Sequence, residues 1–296
     1  MGYVFVLLAA VLWGVLGPVS RVALRDGVLP LEIAFWRALI AGGCYAAHAL
    51  ALGRTRVERR DVPAVVAFGL VGVAAFFGAY QIAVQTGGAA LASVLLYTAP
   101  AWVAVFSALF LHERMTGRKL AAVALAMAGV AGIAVAGGGG GGVRLSPAAL
   151  FWGLLSGWTY ALYYLFGKRY FPRYHTATLF LYALPIGALV LLPFVRFTPK
   201  TAEAWTAIVF LALVPTYGAY LLYSAGLRRI EATRAATVAT LEPVVAAIAA
   251  YLAWNERMSV AGYLFAGLVV IAVVLMATGD GGAEEDSATK GMETHP

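Results

Sequence analysis

Stretches of about 20 mostly apolar residues recur ten times along the chain, which is the length a helix rising 1.5 Å per residue needs to cross roughly 30 Å of hydrocarbon. They are Tyr3–Leu24, Leu31–Leu52, Val62–Gln85, Ala89–Leu111, Arg118–Ala136, Pro147–Gly167, Thr176–Val195, Ala204–Leu227, Thr233–Ala253 and Val260–Thr278. Charged or Gly/Pro-rich segments separate them, among them Arg54–Asp61, His112–Gly117 and the glycine run Gly137–Gly142. The pattern predicts an all-α integral membrane fold of ten transmembrane helices. The first stretch is too long for the apolar region of a secretory signal, roughly 7–15 residues, and has no basic segment before it, so it is expected to remain as a span.

Composition agrees with the pattern. Of 296 residues, 62% are hydrophobic and 12% charged, with a mean hydropathy of +0.85. A water-soluble domain carries about 25% charged residues, so a soluble enzyme is excluded. The net charge of +7 reads as a topology signal and not as an affinity for nucleic acid. With the N-terminus inside, cytoplasmic segments hold Arg54, Arg56, Arg59, Arg60, Arg114, Arg118, Lys119, Lys168, Arg169, Arg173, Arg228, Arg229, Arg234 and Lys290. Outer segments hold Arg21, Arg25, Arg144, Arg196, Lys200 and Arg257, while Arg37 lies within the second span. The expectation is a multi-pass protein of a bacterial inner membrane with both termini cytoplasmic. Residues 279–296 are polar and rich in Gly, Asp and Glu, and read as a disordered cytoplasmic tail. A single cysteine, Cys44, offers neither a disulfide nor a metal-ligand set, and no cofactor motif is present.

The chain also repeats itself. A constant shift of 143 carries Tyr80 onto Tyr223, Pro100 onto Pro243, and Glu113-Arg114-Met115 onto Glu256-Arg257-Met258. Residues 1–136 and 146–278 then form two five-helix halves, joined by a Gly-rich linker over 137–145. Five is odd, so the halves must lie in the membrane in opposite senses. Inverted repeats of this kind characterise secondary transporters, with the substrate near the midplane between the halves.

Trp13-Gly14 in the first span, Arg37 early in the second, and Pro100 and Pro243 followed by Glu113 and Glu256 make the chain resemble the EamA-type drug/metabolite transporter superfamily over about residues 3–278. Within it, the chain looks most like the YddG-type exporters of aromatic amino acids. The resemblance implies ten helices around a central cavity lined by spans 3, 4, 8 and 9, with spans 5 and 10 at the periphery, and it alone implies export.

Candidate site residues follow from polar and aromatic groups in the spans. Ser93, Tyr97 and Pro100 share one helical face at i, i+4 and i+7, and the shift sets Ala236, Thr240 and Pro243 on the matching face. A hydroxyl on an otherwise apolar face needs a polar partner or water, although Ser and Thr can also bond their own preceding turn. Each proline frees a carbonyl one turn earlier and can bend its helix, which makes Pro100 and Pro243 candidate hinges. Spans 3 and 8 add Tyr80, Gln81 and Gln85, and Tyr217, Tyr220, Tyr223 and Ser224. Trp13, Trp158 and Tyr163 complete a set able to stack on planar substrates or ammonium groups. Tyr3, Trp205 and Tyr263 belong by position to the interfacial aromatic belt.

Two charges lie inside spans, Arg37 and Glu242, and each needs a partner or water. The alternatives for Glu242 are a structural pair with a basic group and titration during transport. Its repeat position holds Ala99. The four histidines, His48, His112, His175 and His295, fall at or beyond cytoplasmic helix ends, which leaves no membrane-core histidine as a proton shuttle. The Glu113 and Glu256 corners are expected to cap loops or form gate-side salt bridges. No P-loop, HExxH or Ser/His/Asp grouping appears, so neither direct ATP drive nor hydrolysis is indicated. Basic groups are too few in the expected cavity for a phosphate-bearing substrate. The reading is a monomeric alternating-access carrier of small neutral or zwitterionic solutes, aromatic amino acids foremost, with protons as a candidate coupling ion. Drug-like or amphipathic metabolites are the alternative cargo, and a channel the alternative mechanism.

Overall fold

A computed structural model describes residues 1–136, 145–255 and 257–278. The Glu256 corner, the glycine run and the C-terminal tail lie outside the described residues. Ten helices follow one another: α1 (Gly2–Arg25), α2 (Pro30–Ala51), α3 (Val62–Gly87), α4 (Leu91–Phe110), α5 (Gly117–Ala136), α6 (Pro147–Tyr170), α7 (Thr176–Phe194), α8 (Ala202–Leu227), α9 (Ala232–Trp254) and α10 (Val260–Ala277). Nine of them are long and apolar enough to span a membrane by composition alone. The tenth, α6, has 24 residues, and its Ser156, Thr159, Tyr160, Tyr163 and Tyr164 dilute its hydropathy without shortening it. No strand occurs among the described residues.

Local signals start and stop these helices at matching places in both halves. Thr116 Oγ1 accepts from Lys119 N at 3.3 Å at the head of α5, and Ser259 Oγ accepts from Gly262 N at 3.2 Å at the head of α10. Each side chain satisfies one of the amides a helix start leaves unpaired. The ends of α4 and α9 match too: His112 and Asn255 both take a left-handed φ of 55°, a conformation that stops a helix and turns the chain. These pairs are all related by the shift of 143.

Packing confirms the two-fold relation. Helix α5 lies along α10, α2 along α7, α3 along α6 and α1 along α8, while α4 packs on α6 and α9 on α1. Exchanging the halves turns every one of these pairings into itself or into another of the set. Gly42 touches its own repeat mate: a Cβ there would come within 2.9 Å of Pro185 Cδ, so the pseudo-two-fold axis passes between α2 and α7. The α5–α10 pair stands at the periphery, and the remaining helices surround the centre.

The ends of the bundle differ. Loops 52–61, 111–116, 171–175 and 228–231 gather at the arginine-rich end, and loops 26–29, 195–201 and residues 257–259 mark the opposite end. Large aromatic side chains fill the core toward the arginine-rich end, with Tyr45, Tyr164, Tyr223, Phe171 and Phe180 fully buried.

Candidate functional site

Both halves break their helices where the site lies. Helix α4 is two pieces, Ala89–Leu96 and Ala99–Phe110, and α9 is two pieces, Ala232–Ala239 and Glu242–Trp254. The gaps, Tyr97-Thr98 and Thr240-Leu241, are related by the repeat shift. Pro100 and Pro243 each occupy the first turn of the second piece, where a missing N–H costs nothing because that amide has no intrahelical partner. The expected bends are therefore full interruptions, with the proline starting a new helix. Glu242 lies about ten residues, roughly 15 Å, into α9, close to the midplane.

A second pair of irregularities was not legible beforehand. Helix α3 is π-helical over Gly69–Ala75 and α8 over Leu213–Gly218, again related by the shift. Such widened turns rotate the residues that follow and concentrate at functional sites. The residues that follow are Phe76, Phe77, Tyr80 and Gln81 in α3, and Tyr220, Tyr223 and Ser224 in α8. Gly69 and Gly72 in one helix and Pro215 in the other are the local cues.

Most of the expected side chains meet. Trp13 stands 5.8 Å from Tyr220 and 5.3 Å from Tyr223, and Tyr163 lies 5.5 Å and 5.4 Å from the same two rings. The hydroxyls of Tyr163 and Tyr223 are buried without a partner, so this aromatic cluster retains unused hydrogen-bonding capacity. Tyr80 and Ser93 share a hydrogen bond of 3.4 Å, which ties α3 to the first piece of α4. The Tyr97 phenol stands within electrostatic reach of the half-buried Glu242 carboxylate across the two gaps. Arg37, 7% exposed, donates from Nε to Thr216 Oγ1 at 3.1 Å in the π-helical part of α8 and lies 5.8 Å from the Phe77 ring. Arg37 and Glu242 are within electrostatic reach of each other, yet the described residues contain no ion pair involving either. The structural pair considered for Glu242 does not form as a direct contact.

Three expected residues stand apart. Trp158, 37% exposed, shares the outward face of α6 with Phe151 and Leu154 and meets Phe106 edge-on at 6.3 Å. Thr240 is buried, and its hydroxyl is spent on Thr237 O at 2.5 Å, the local backbone bond that competes with any ligand role. Ser224 is held by Thr176 at 2.5 Å and Leu221 O at 3.0 Å. The structure brings in Tyr160, Tyr164, Phe77 and Thr216 instead. Tyr160 and Tyr164 hydrogen-bond at 3.2 Å, and their i, i+4 spacing with Tyr163 beside them was the available signal.

The arginine-rich end is laced across the two halves. Glu113 Oε1 accepts from Ala232 N at 2.7 Å, and its Oε2 accepts from Thr233 N at 3.2 Å and Thr233 Oγ1 at 2.8 Å, which caps α9 from the first half. Lys119 pairs with Glu231 at 2.7 Å, Arg173 with Asp61 at 3.1 Å, and Tyr174 donates to Asp61 at 2.6 Å. Burial pushes the Glu231 carboxyl up, but hydrogen bonds from Lys119 and Arg234 outweigh it and hold the group below its ordinary range. The Tyr174 hydrogen bond and Arg173 hold Asp61 low as well. Carboxylates depressed in the folded state contribute fully above their unfolded values, about 4, and lose that contribution as pH falls through the lower folded values. The lacing is thus complete at neutral pH. At the opposite end a cleft of about 320 Å³ opens among Leu29, Pro30, Leu31, Gln81, Gln85, Phe194 and Arg196.

Comparison with known proteins fits this arrangement. The sequence profile of the EamA-like transporter family matches residues 1–135 and 147–278, one match per half. The chain belongs to the EamA-like transporter family. It is a membrane transporter and not an enzyme. A relative from Archaeoglobus fulgidus, described as an uncharacterized transporter, is 28% identical over 93% of this chain and 98% of its own length. A probable terminal-alkyne amino-acid exporter from Streptantibioticus cattleyicolor is 27% identical over 96% of each chain. The uncharacterized inner membrane transporter YicL of Salmonella typhimurium is 24% identical over 93% of this chain and 95% of its own. A solved crystal structure superposes with a TM-score of 0.81 over 94% of this chain and 96% of its own, at 21% identity, which shows a shared fold.

In this EamA-like chain, replacing Pro243 with Ala removes the residue that prevents α9 from continuing through its gap, a bias of roughly 3 kcal/mol per interior proline. Pro243→Ala is expected to lower transport several-fold with membrane insertion intact. Equal transport at equal expression would contradict the hinge role.

Proposed function

We propose that this chain is an alternating-access carrier that exports small zwitterionic solutes, aromatic amino acids foremost, across the bacterial inner membrane. The observation that supports this best is the pair of repeat-related gaps in α4 and α9, which meet at a midplane set of tyrosines with Arg37 and Glu242. Broken helices at matching positions of inverted halves are where such carriers bind. The aromatic rings offer stacking surface to planar cargo, and the amino-acid exporter among the relatives agrees with that class. The charge bias supports a cytoplasmic position for the arginine-rich end and both termini. The laced end is then the closed cytoplasmic gate and the cleft the outer vestibule, an outward-facing state. A single chain encloses the whole site, so a monomer suffices.

Export can be tested in intact cells. Cells expressing the protein and preloaded with labelled phenylalanine should release it severalfold faster than cells expressing Pro243→Ala at equal level. Equal release from both, or release that rises linearly with load and never saturates, would remove the carrier reading and leave a pore.

A further inference from the structure

Arg37 and Glu242 have no counterparts in the repeat. The shift carries Arg37 onto Phe180 and Glu242 onto Ala99, so neither charge belongs to the symmetric scaffold that builds the fold. Both were kept within membrane helices, where an unpaired charge is expensive, and yet they do not neutralise each other. Arg37 is more than nine-tenths buried and spends only Nε on Thr216. Its two terminal nitrogens, the pair able to grip a carboxylate in parallel, have no partner among the described residues. Glu242 is half-buried, with Tyr97 and Arg37 within electrostatic reach. It opens the second piece of α9, at the positive end of that helix.

Tyr220 stands within electrostatic reach of both charges and packs 5.8 Å from Trp13. Phe77 lies beneath the guanidinium. Two opposite charges held apart, with aromatic surface beside them, match a molecule whose ammonium and carboxylate sit on one carbon and whose side chain is apolar. We propose that Arg37 and Glu242 form the two poles of a zwitterion site: the Arg37 guanidinium takes the α-carboxylate of the cargo, the Glu242 carboxylate its α-ammonium, and the Trp13–Tyr220–Phe77 side receives the side chain. The assignment deepens the proposed function and rests on its carrier reading. It explains why a transporter nearly free of membrane charge retains these two, and why each sits on a different half. Cargo bound between them would bridge the halves, and its release would restore an unpaired charge on each.

Binding of four probes to the purified full-length protein tests this directly by calorimetry: L-phenylalanine, L-leucine, phenethylamine and 3-phenylpropionate. The wild type should bind the two zwitterions at least about tenfold more tightly than either singly charged analogue, the loss expected for one missing charge-assisted contact. Glu242→Gln should weaken both zwitterions and phenethylamine about tenfold and leave 3-phenylpropionate unchanged. Arg37→Gln should do the reverse, weakening both zwitterions and 3-phenylpropionate but sparing phenethylamine. Monodisperse elution and an unchanged helical spectrum establish that each variant is folded, and Arg37→Lys should recover part of the carboxylate binding if Arg37→Gln does not fold. Variants that lower all four probes alike, or none, overturn the assignment while leaving the carrier intact. Leucine binding with the predicted charge dependence and no phenylalanine binding would sustain the two poles and remove the aromatic preference. No binding of any probe by the wild type removes both.

Discussion

Gly157→Val is expected to reduce transport below about a tenth of wild type and to lower thermal stability, because a side chain at this position has nowhere to go. A Cβ at Gly157 would come within 2.6 Å of Thr98 Oγ1, 2.7 Å of Leu95 O and 3.0 Å of Leu96 O. Two of these are backbone atoms at the gap in α4, which cannot yield without moving the helix. Overpacking of this kind costs about 1–3 kcal/mol, and here the displacement falls on the joint between the two pieces. The repeat mate, Gly14, makes the same approach to α9, where a Cβ would meet Val245 at 2.6 Å and Glu242 O at 3.0 Å. The pair therefore marks the two places where α1 and α6 cross the broken helices. Gly157→Ala should give the same effect at smaller size. Transport rates at matched expression, read together with melting in detergent, check it. A Gly157→Val protein with wild-type transport would show that the crossing is loose.

The second large effect is expected at the arginine-rich end. Glu113→Ala removes three hydrogen bonds to the start of α9 and leaves the buried Ala232 and Thr233 amides unpaired. Each orphaned donor costs about 1–3 kcal/mol, and every 1.4 kcal/mol moves a two-state balance about tenfold. The lost bonds exist only while the two halves meet at this end, so the shift favours the state open there. Ser224→Cys on a Cys44→Ser background provides the reporter, since Ser224 is buried behind the lacing. Its labelling by an impermeant maleimide from the arginine-rich side should accelerate about tenfold or more in Glu113→Ala. An unchanged rate would mean that Glu113 caps α9 without gating.

How far these features could be read from the sequence depended on how much contrast each left there. The ten spans, their inverted halves and the prolines at the gaps were legible, because length, repeat spacing and Pro each leave a mark independent of neighbours. Facing was the hard part. In a membrane helix the lipid-facing and core-facing sides are both apolar, so nothing in α6 distinguished Trp158, which faces outward, from Tyr160, Tyr163 and Tyr164, which face in. Thr240 and Ser224 could be ligands or could bond their own turn, and in the folded chain both bond a backbone carbonyl one turn earlier. The π turns in α3 and α8 depend on how whole helices pack, and Gly69 or Pro215 alone does not specify them. Arg37 and Glu242 were visible as charges, but their separation was not. A residue's chemistry is local, whereas its partner is set by the fold.

In the proposed carrier, one binding site is offered to the two sides in turn. Counterflow of labelled phenylalanine into proteoliposomes preloaded with unlabelled phenylalanine, with and without a pH gradient, tests it most directly. Alternating access predicts transient accumulation of label above equilibrium, saturating with external substrate and lost in Gly157→Val. Label that enters at the same rate whether or not the vesicles are preloaded, and never exceeds equilibrium, would contradict it.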